Sequence, residues 1–145
     1  MKTLTAALAA IVCAAPASAF ELSPLFNVEV TLSPAAAAKL AESGEAITIS
    51  TAYYGEAKAG ADSEKGQIDL GSEEATLDAA GSVAMGGVEL NEDGLGNIAG
   101  APSMNLNVYS ARKVFQDNLL SCGMWDQPVA DIPATITISC ALIEE

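Results

Sequence analysis

Residues 26–54 read FNVEVTLSPAAAAKLAESGEAITISTAYY, and this stretch decides the fold class of the chain. Apolar side chains occupy every second position over residues 26–32, which is the period of a strand with one buried face. Ser33 followed by proline is a helix start and Gly44 is a helix end, so a short helix of about ten residues is predicted between them. From residue 46 to Tyr54 the β-branched and aromatic content rises again and predicts a second strand.

The rest of the chain shows further short strands that are separated by turn signals. One is expected near residues 68–70, and two more lie within residues 75–90, where a change of phase at Gly86-Gly87 predicts a β-bulge or a tight turn. Residues 55–66 and 91–102 are rich in glycine and polar residues and predict connections without strands. The last strands are predicted from the alternation within residues 104–109 and 135–143.

Many short strands and only one good helix are typical of an antiparallel β-sandwich, here of about seven strands with one short helix. The alanine-rich helix should lie against a sheet through Ala37, Leu40 and Ala41. The alternative fold is a small α+β layer, in which this helix covers one face of a single sheet. Both folds place residues 20–145 in a single β-rich domain, since about 126 residues form one core and not two.

The first 19 residues have the composition of a cleavable signal peptide. Lys2 supplies a positive start, an apolar stretch follows, and Ala17-Ser18-Ala19 provides the small residues of a cleavage site before Phe20. The apolar stretch is too short to span a bilayer as a helix, so no stable membrane insertion is expected after cleavage. The sequence therefore predicts a periplasmic or secreted protein.

The cysteines and the net charge limit the chemistry that the exported domain can have. Cys13 leaves with the signal peptide, and Cys122 and Cys140 remain in an oxidising compartment, which predicts a disulfide between them. The formal charge of the whole chain is −13, and loss of Lys2 makes it −14. Such a charge disfavours nucleic acid and favours a basic or cationic partner.

The chain contains no histidine, which removes histidine-dependent triads and histidine-liganded zinc or copper sites. The spacing Ser110-x-x-Lys113 matches a serine acyltransferase motif, but its companion motifs are missing. The glycine-rich residues 94–100 depart from the phosphate-binding pattern and are interpreted as a turn-rich linker. We therefore expect no cofactor and no catalytic residue.

Two alternative functions use oxygen donors. Asn91, Asp93 and Asn97 carry the oxygen atoms that calcium prefers, although the EF-hand pattern is absent, so weak calcium binding is one alternative. A hydrolase acting on carbohydrate through carboxylates of different strands is the other. Adjacent acids such as Glu73-Glu74 point to opposite faces of a strand and do not form such a pair themselves.

The preferred interpretation is a non-catalytic binding or interaction module whose partner is a protein or a small ligand. Tyrosine and asparagine side chains share the polar phase of two predicted strands and form a candidate recognition face, and Trp125 is either a core residue under the disulfide or an exposed anchor beside that face. The candidate binding residues are Tyr54, Asn105, Asn107, Tyr109 and Trp125.

The sequence also resembles a group of bacterial proteins. The runs 32–55, 107–112 and 117–122 are similar to those of uncharacterised small exported proteins of Gram-negative bacteria. This resemblance covers most of the chain after residue 20 and implies a periplasmic setting. It implies no activity, cofactor or site residue.

Overall fold

Two four-stranded sheets face each other in the structure, a computed structural model that describes residues 21–145. The predicted signal peptide, residues 1–19, lies outside the described residues. The strands are β1 (Phe26–Leu32), β2 (Ile47–Glu56), β3 (Gln67–Leu77), β4 (Gly81–Met85), β5 (Ser103–Ser110), β6 (Leu120–Cys122), β7 (Trp125–Pro128) and β8 (Thr135–Leu142). The helices are α1 (Pro34–Ser43), α2 (Glu92–Asn97) and a 3-10 turn (Val129–Asp131).

We call the sheet with strand order β3-β2-β5-β7 the front sheet and the sheet with order β4-β1-β8-β6 the back sheet. The predicted β-sandwich is confirmed, with eight strands and not seven. All pairs are antiparallel except β1 and β8, which run parallel in the middle of the back sheet. The apolar phases of the two sheets meet in one core, whose largest fully buried side chain is Tyr53.

Helix α1 has the predicted ends. The Ser33 hydroxyl accepts a hydrogen bond from the backbone N–H of Ala36 (3.1 Å), and Gly44 ends the helix in the left-handed region at φ 72°. The predicted packing face is partly wrong, because Ala36 and Leu40 are buried whereas Ala37 and Ala41 are exposed. These two buried residues are four positions apart, so only a narrow stripe of the helix reaches the core.

The middle of the chain differs most from the prediction. The short strand expected near residues 68–70 is the start of the eleven-residue β3, which contains a bulge at Leu70. Only one further strand, β4, lies before residue 91, because the chain leaves the sheet at Gly86-Gly87, where both glycines have positive φ. The loop predicted over residues 91–102 contains the short helix α2, which the Asn91 side chain caps by accepting from Gly94 N (2.9 Å).

The connection from β5 in the front sheet to β6 in the back sheet is held by a buried carboxylate. Glu45 is 2% exposed and accepts hydrogen bonds from the backbone N–H groups of Ala46 (2.9 Å), Lys113 (3.0 Å), Val114 (2.8 Å) and Phe115 (3.1 Å). Burial raises the pKa of this carboxyl, but the four N–H donors together lower it by more, to about 2. Glu45 is therefore an ionised residue that fixes the crossover.

The same connection contains a second polar contact, between the buried Ser110 and the half-buried Asn118. Ser110 is fully buried, and its N–H and hydroxyl both donate to Oδ1 of Asn118, at 2.9 and 3.2 Å. The Ser110 hydroxyl also accepts from Leu119 N (2.9 Å). This serine therefore has a structural role, and the nearby Lys113 is anchored by its backbone N–H, which donates to Glu45.

The predicted disulfide is present. Cys122 and Cys140 are register partners on β6 and β8, with Cα atoms 4.1 Å apart, and their sulfur atoms are bonded. Cys140 is buried in the core, as its phase in the last strand predicts. No helix within residues 21–145 is long and apolar enough to cross a membrane.

Gly86 should tolerate no side chain. Its φ is 97°, and a Cβ added there would overlap the backbone carbonyl of Pro24. We expect Gly86→Ala to lower the free energy of unfolding by about 2 kcal/mol or more. Gly81→Ala in the adjacent strand is the matched control, because the nearest atom to its added Cβ is 3.9 Å away. Denaturant unfolding tests this, and equal stability of the two variants would contradict it.

Glu45→Gln should change how stability depends on pH. A pKa lowered from 4.5 to about 2 stabilises the folded state above pH 4.5, and this contribution is lost as the pH falls toward 2. At neutral pH the variant should lose about 3 kcal/mol of unfolding free energy. The difference between wild type and variant, measured by denaturant unfolding, should shrink between pH 4.5 and 2. Parallel pH curves would refute this role of Glu45.

Candidate binding face

Four of the five predicted binding residues lie on the solvent side of the front sheet. Tyr54 belongs to β2, and Asn105, Asn107 and Tyr109 alternate along β5. The register of β2 and β5 places these side chains on one surface, together with Thr48, Ser50 and Ala52 of β2. We call this surface the outer face.

A row of hydrogen bonds crosses the outer face. The Tyr54 hydroxyl donates to Oδ1 of Asp126 on β7 (2.7 Å), and Asn105 donates to Oδ2 of the same carboxylate (3.3 Å). Asn107 donates in turn to the side-chain oxygen of Asn105 (2.6 Å). These bonds fix the side-chain rotamers of Tyr54, Asn105 and Asn107 in the free protein, so the surface is preorganised.

Tyr109 is held at the other end of the outer face. Its hydroxyl donates to Glu74 of β3 (3.0 Å), and the Arg112 guanidinium lies 5.9 Å from the centre of its ring. Burial and the hydrogen bond to Glu74 raise the pKa of Tyr109, whereas the hydrogen bond to Asp126 is the largest cause of the raised pKa of Tyr54. Both tyrosines are thus neutral hydrogen-bond donors tied to carboxylates.

Trp125 does not belong to the outer face. It is the register partner of the buried Leu106, so its side chain lies on the inner side of the front sheet and packs, half-buried, against the core. Of the two roles predicted for Trp125, the structure supports packing against the core and not an exposed anchor. Trp125 borders the outer face only through its neighbours in the chain.

The outer face also contains residues that were not predicted from the sequence, among them Asp126 and Met124. Asp126 joins Tyr54 to Asn105, as described above, and Met124 is 67% exposed with its sulfur 3.4 Å from the side-chain nitrogen of Asn105. Met124 is an apolar residue between Gly123 and Trp125, so the sequence gives little indication that its side chain is exposed. Their position on the outer face follows from the pairing of β7 with β5.

A depression of about 440 Å³ lies at the Tyr54 end of the outer face. Tyr54, Asn105 and Asp126 of the outer face line it together with Ala52 and Tyr53 of β2. The other lining residues come from β3 and the loop before it and are charged or polar: Glu64, Lys65, Gln67 and Asp69. The depression therefore continues the polar surface of the outer face.

Two residues named for the calcium alternative make structural hydrogen bonds. The Asn91 side-chain oxygen caps helix α2 by accepting from Gly94 N, and the Asn97 side-chain nitrogen donates to the backbone oxygen of Asp93 (2.8 Å). Within residues 21–145, no three His, Cys, Asp or Glu side chains form a group that would hold a metal ion. Glu73 accepts from Gly86 N (2.7 Å) on the inner side of β3 whereas Glu74 lies on the outer face, so this doublet points to opposite sides as predicted.

Asp126→Asn should lower the pKa of Tyr54 toward its ordinary value, since the hydrogen bond to this carboxylate is the largest cause of the upward shift. Ultraviolet titration of tyrosinate, assigned with Tyr54→Phe, measures the change. Glu74→Gln is the matched control and should lower the pKa of Tyr109 while leaving that of Tyr54 in place. An unchanged Tyr54 pKa in Asp126→Asn would show that the row of hydrogen bonds does not form.

Comparison of the chain with protein-family models, curated proteins and solved structures gives no significant match.

Proposed function

We propose that this chain is an exported, non-catalytic binding module that recognises a positively charged partner, protein or small ligand, through the outer face. The observation that carries this proposal is the row of hydrogen bonds from Tyr54 through Asp126 and Asn105 to Asn107. It holds polar and aromatic side chains in place before a partner arrives. Association then costs less side-chain entropy than it would on a mobile surface.

The composition of the outer face also supports recognition. Tyrosine and asparagine combine a flat contact area with hydrogen-bonding groups, and the exposed Met124 adds an apolar contact at the edge. Aromatic residues of this kind are the ones that most often dominate binding free energy. On the core-facing side of the same strands the only aromatic residues are Tyr53 and Trp125. Both pack in or against the core.

Charge indicates the kind of partner. The chain carries 19 acidic and six basic residues. The outer face with its depression includes four acidic residues, Glu64, Asp69, Glu74 and Asp126, and two basic ones, Lys65 and Arg112. A field of this sign speeds the approach of cationic groups and repels anionic ones. Export is supported by the predicted signal peptide and by the Cys122–Cys140 disulfide, since disulfides persist in oxidising compartments.

The proposal is tested by affinity capture with immobilised residues 20–145 and extracytoplasmic extract of the source cells. Wild type should retain a basic partner that raised salt elutes, and Tyr54→Ala/Tyr109→Ala should recover it roughly tenfold less or lower still. Thr135→Ala/Thr137→Ala, on the solvent side of the back sheet, is the matched control and should behave as wild type.

Direct titration of the recovered partner against the purified variants then separates specific binding from retention by charge alone. Equal affinity of wild type and the tyrosine variant would refute the outer face as the binding surface.

A further inference from the structure

Strand β3 forms one edge of the front sheet. It pairs with β2 on one side, and on its other side it pairs with no strand of the described chain. The segment after Gly87 covers the beginning of β3, where Asn91 N donates to the Leu70 oxygen (2.9 Å) and Val88 packs close to Gly71. Residues 72–77 extend beyond this cover and form an open edge.

The direction of the backbone groups along this edge follows from the neighbouring pairs. In β2, the carbonyl oxygens of Ala46 and Glu56 accept from Ala111 and Ala99, which lie on the β5 side. Backbone groups alternate in direction along a strand, so the even-numbered residues of β2 face β5 and the odd-numbered ones face β3. The register of β2 with β3 then determines which residues of β3 are already paired.

Glu73, Ala75 and Leu77 are the partners of odd-numbered β2 residues, so their backbone groups face β2. The alternate residues Ser72, Glu74 and Thr76 direct their N–H and C=O groups away from the sheet. Their side chains lie on the outer face, where Glu74 already contacts Tyr109. The open edge therefore presents three backbone N–H donors and three backbone C=O acceptors beside the proposed binding surface.

The chemistry of this edge excludes a second copy and favours a basic strand. Residues 67–97, which include β3, β4 and α2, contain seven acidic side chains and no lysine or arginine. Two β3 strands placed edge to edge would bring these acidic segments together, and like charges opposite one another destabilise a sheet. The bulge at Leu70 also makes the edge of β3 irregular, and an irregular edge disfavours pairing with a second copy of the strand.

We propose that an extended, lysine- or arginine-containing polypeptide segment adds to the front sheet as a further strand along residues 72–77. The inference rests on the proposed function for the positive charge of the partner. It adds that the partner binds through its backbone at the β3 edge, with its alternate side chains next to Ser72, Glu74 and Thr76. Strand addition of this type obtains affinity from main-chain hydrogen bonds and specificity from alternate side chains.

The probe is an eight-residue peptide of alternating lysine and threonine, and the readout is amide hydrogen exchange resolved by residue. In the free protein the amides of residues 73, 75 and 77 should exchange slowly, because they are bonded to β2, whereas those of residues 72, 74 and 76 should exchange fast. Saturating peptide should slow exchange at residues 72, 74 and 76. The same peptide N-methylated at every second residue should produce no protection.

Thr76→Pro tests the backbone contact. Proline removes the outward N–H of Thr76 without removing a bond to β2, and edge strands accept proline at such positions. Peptide affinity should fall about fivefold to tenfold, which is the worth of one hydrogen bond. Thr76→Val keeps the N–H and should bind as wild type. If Thr76→Pro does not fold, the amide exchange of the wild-type protein with and without peptide decides whether strand addition occurs.

The outcomes separate this inference from the proposed function. Protection at residues 72, 74 and 76 that survives in Tyr54→Ala/Tyr109→Ala supports strand addition. Peptide binding that is lost in the tyrosine variant but unchanged in Thr76→Pro overturns strand addition and leaves the outer face as the site. No binding, or dimerisation of the protein with protection at the same residues, also overturns it. The capture experiment judges the proposed function in each case.

Discussion

The Glu45 carboxylate is the interaction on which the arrangement of the two sheets depends. A buried charge without a basic partner is normally costly, but here four backbone N–H groups surround it and lower its pKa to about 2. Three of those donors belong to residues 113–115, which leave the front sheet and enter the back sheet. The charge is thus satisfied only when the crossover has its native path.

The crossover in turn positions the parts that follow it. Ser110 and Asn118 close the connection with buried hydrogen bonds, and β6 then reaches β8, where Cys122 and Cys140 are joined. After this covalent link the chain turns back to the front sheet as β7 and places Asp126 opposite Asn105. A surface contact of the outer face is therefore fixed by a carboxylate in the interior and by a disulfide in the other sheet.

The strands themselves could be predicted because their signal is local. Alternation within residues 46–54 and 104–109 reports which side chains face the core, and this identified the common surface of Tyr54, Asn105, Asn107 and Tyr109 correctly. The parallel pairing of β1 with β8 joins residues more than 100 positions apart, and neither strand contains a local sequence pattern that predicts this pairing. The role of Glu45 escaped prediction for the same reason, since its partners lie almost 70 positions away.

The path of the chain at Gly86 and the side chosen by Trp125 depend on tertiary contacts instead. Gly86-Gly87 was correctly predicted to interrupt a strand, but the close approach of the Pro24 backbone, which leaves no space for a side chain at Gly86, is a tertiary contact. Trp125 and Asp126 are adjacent on β7, so only one of the two side chains faces the core. The sequence alone allows Trp125 either to face the core or to be exposed. Burial of the larger apolar surface decides it: the indole ring packs inward, and the carboxylate is left outside as the acceptor that orders the outer face.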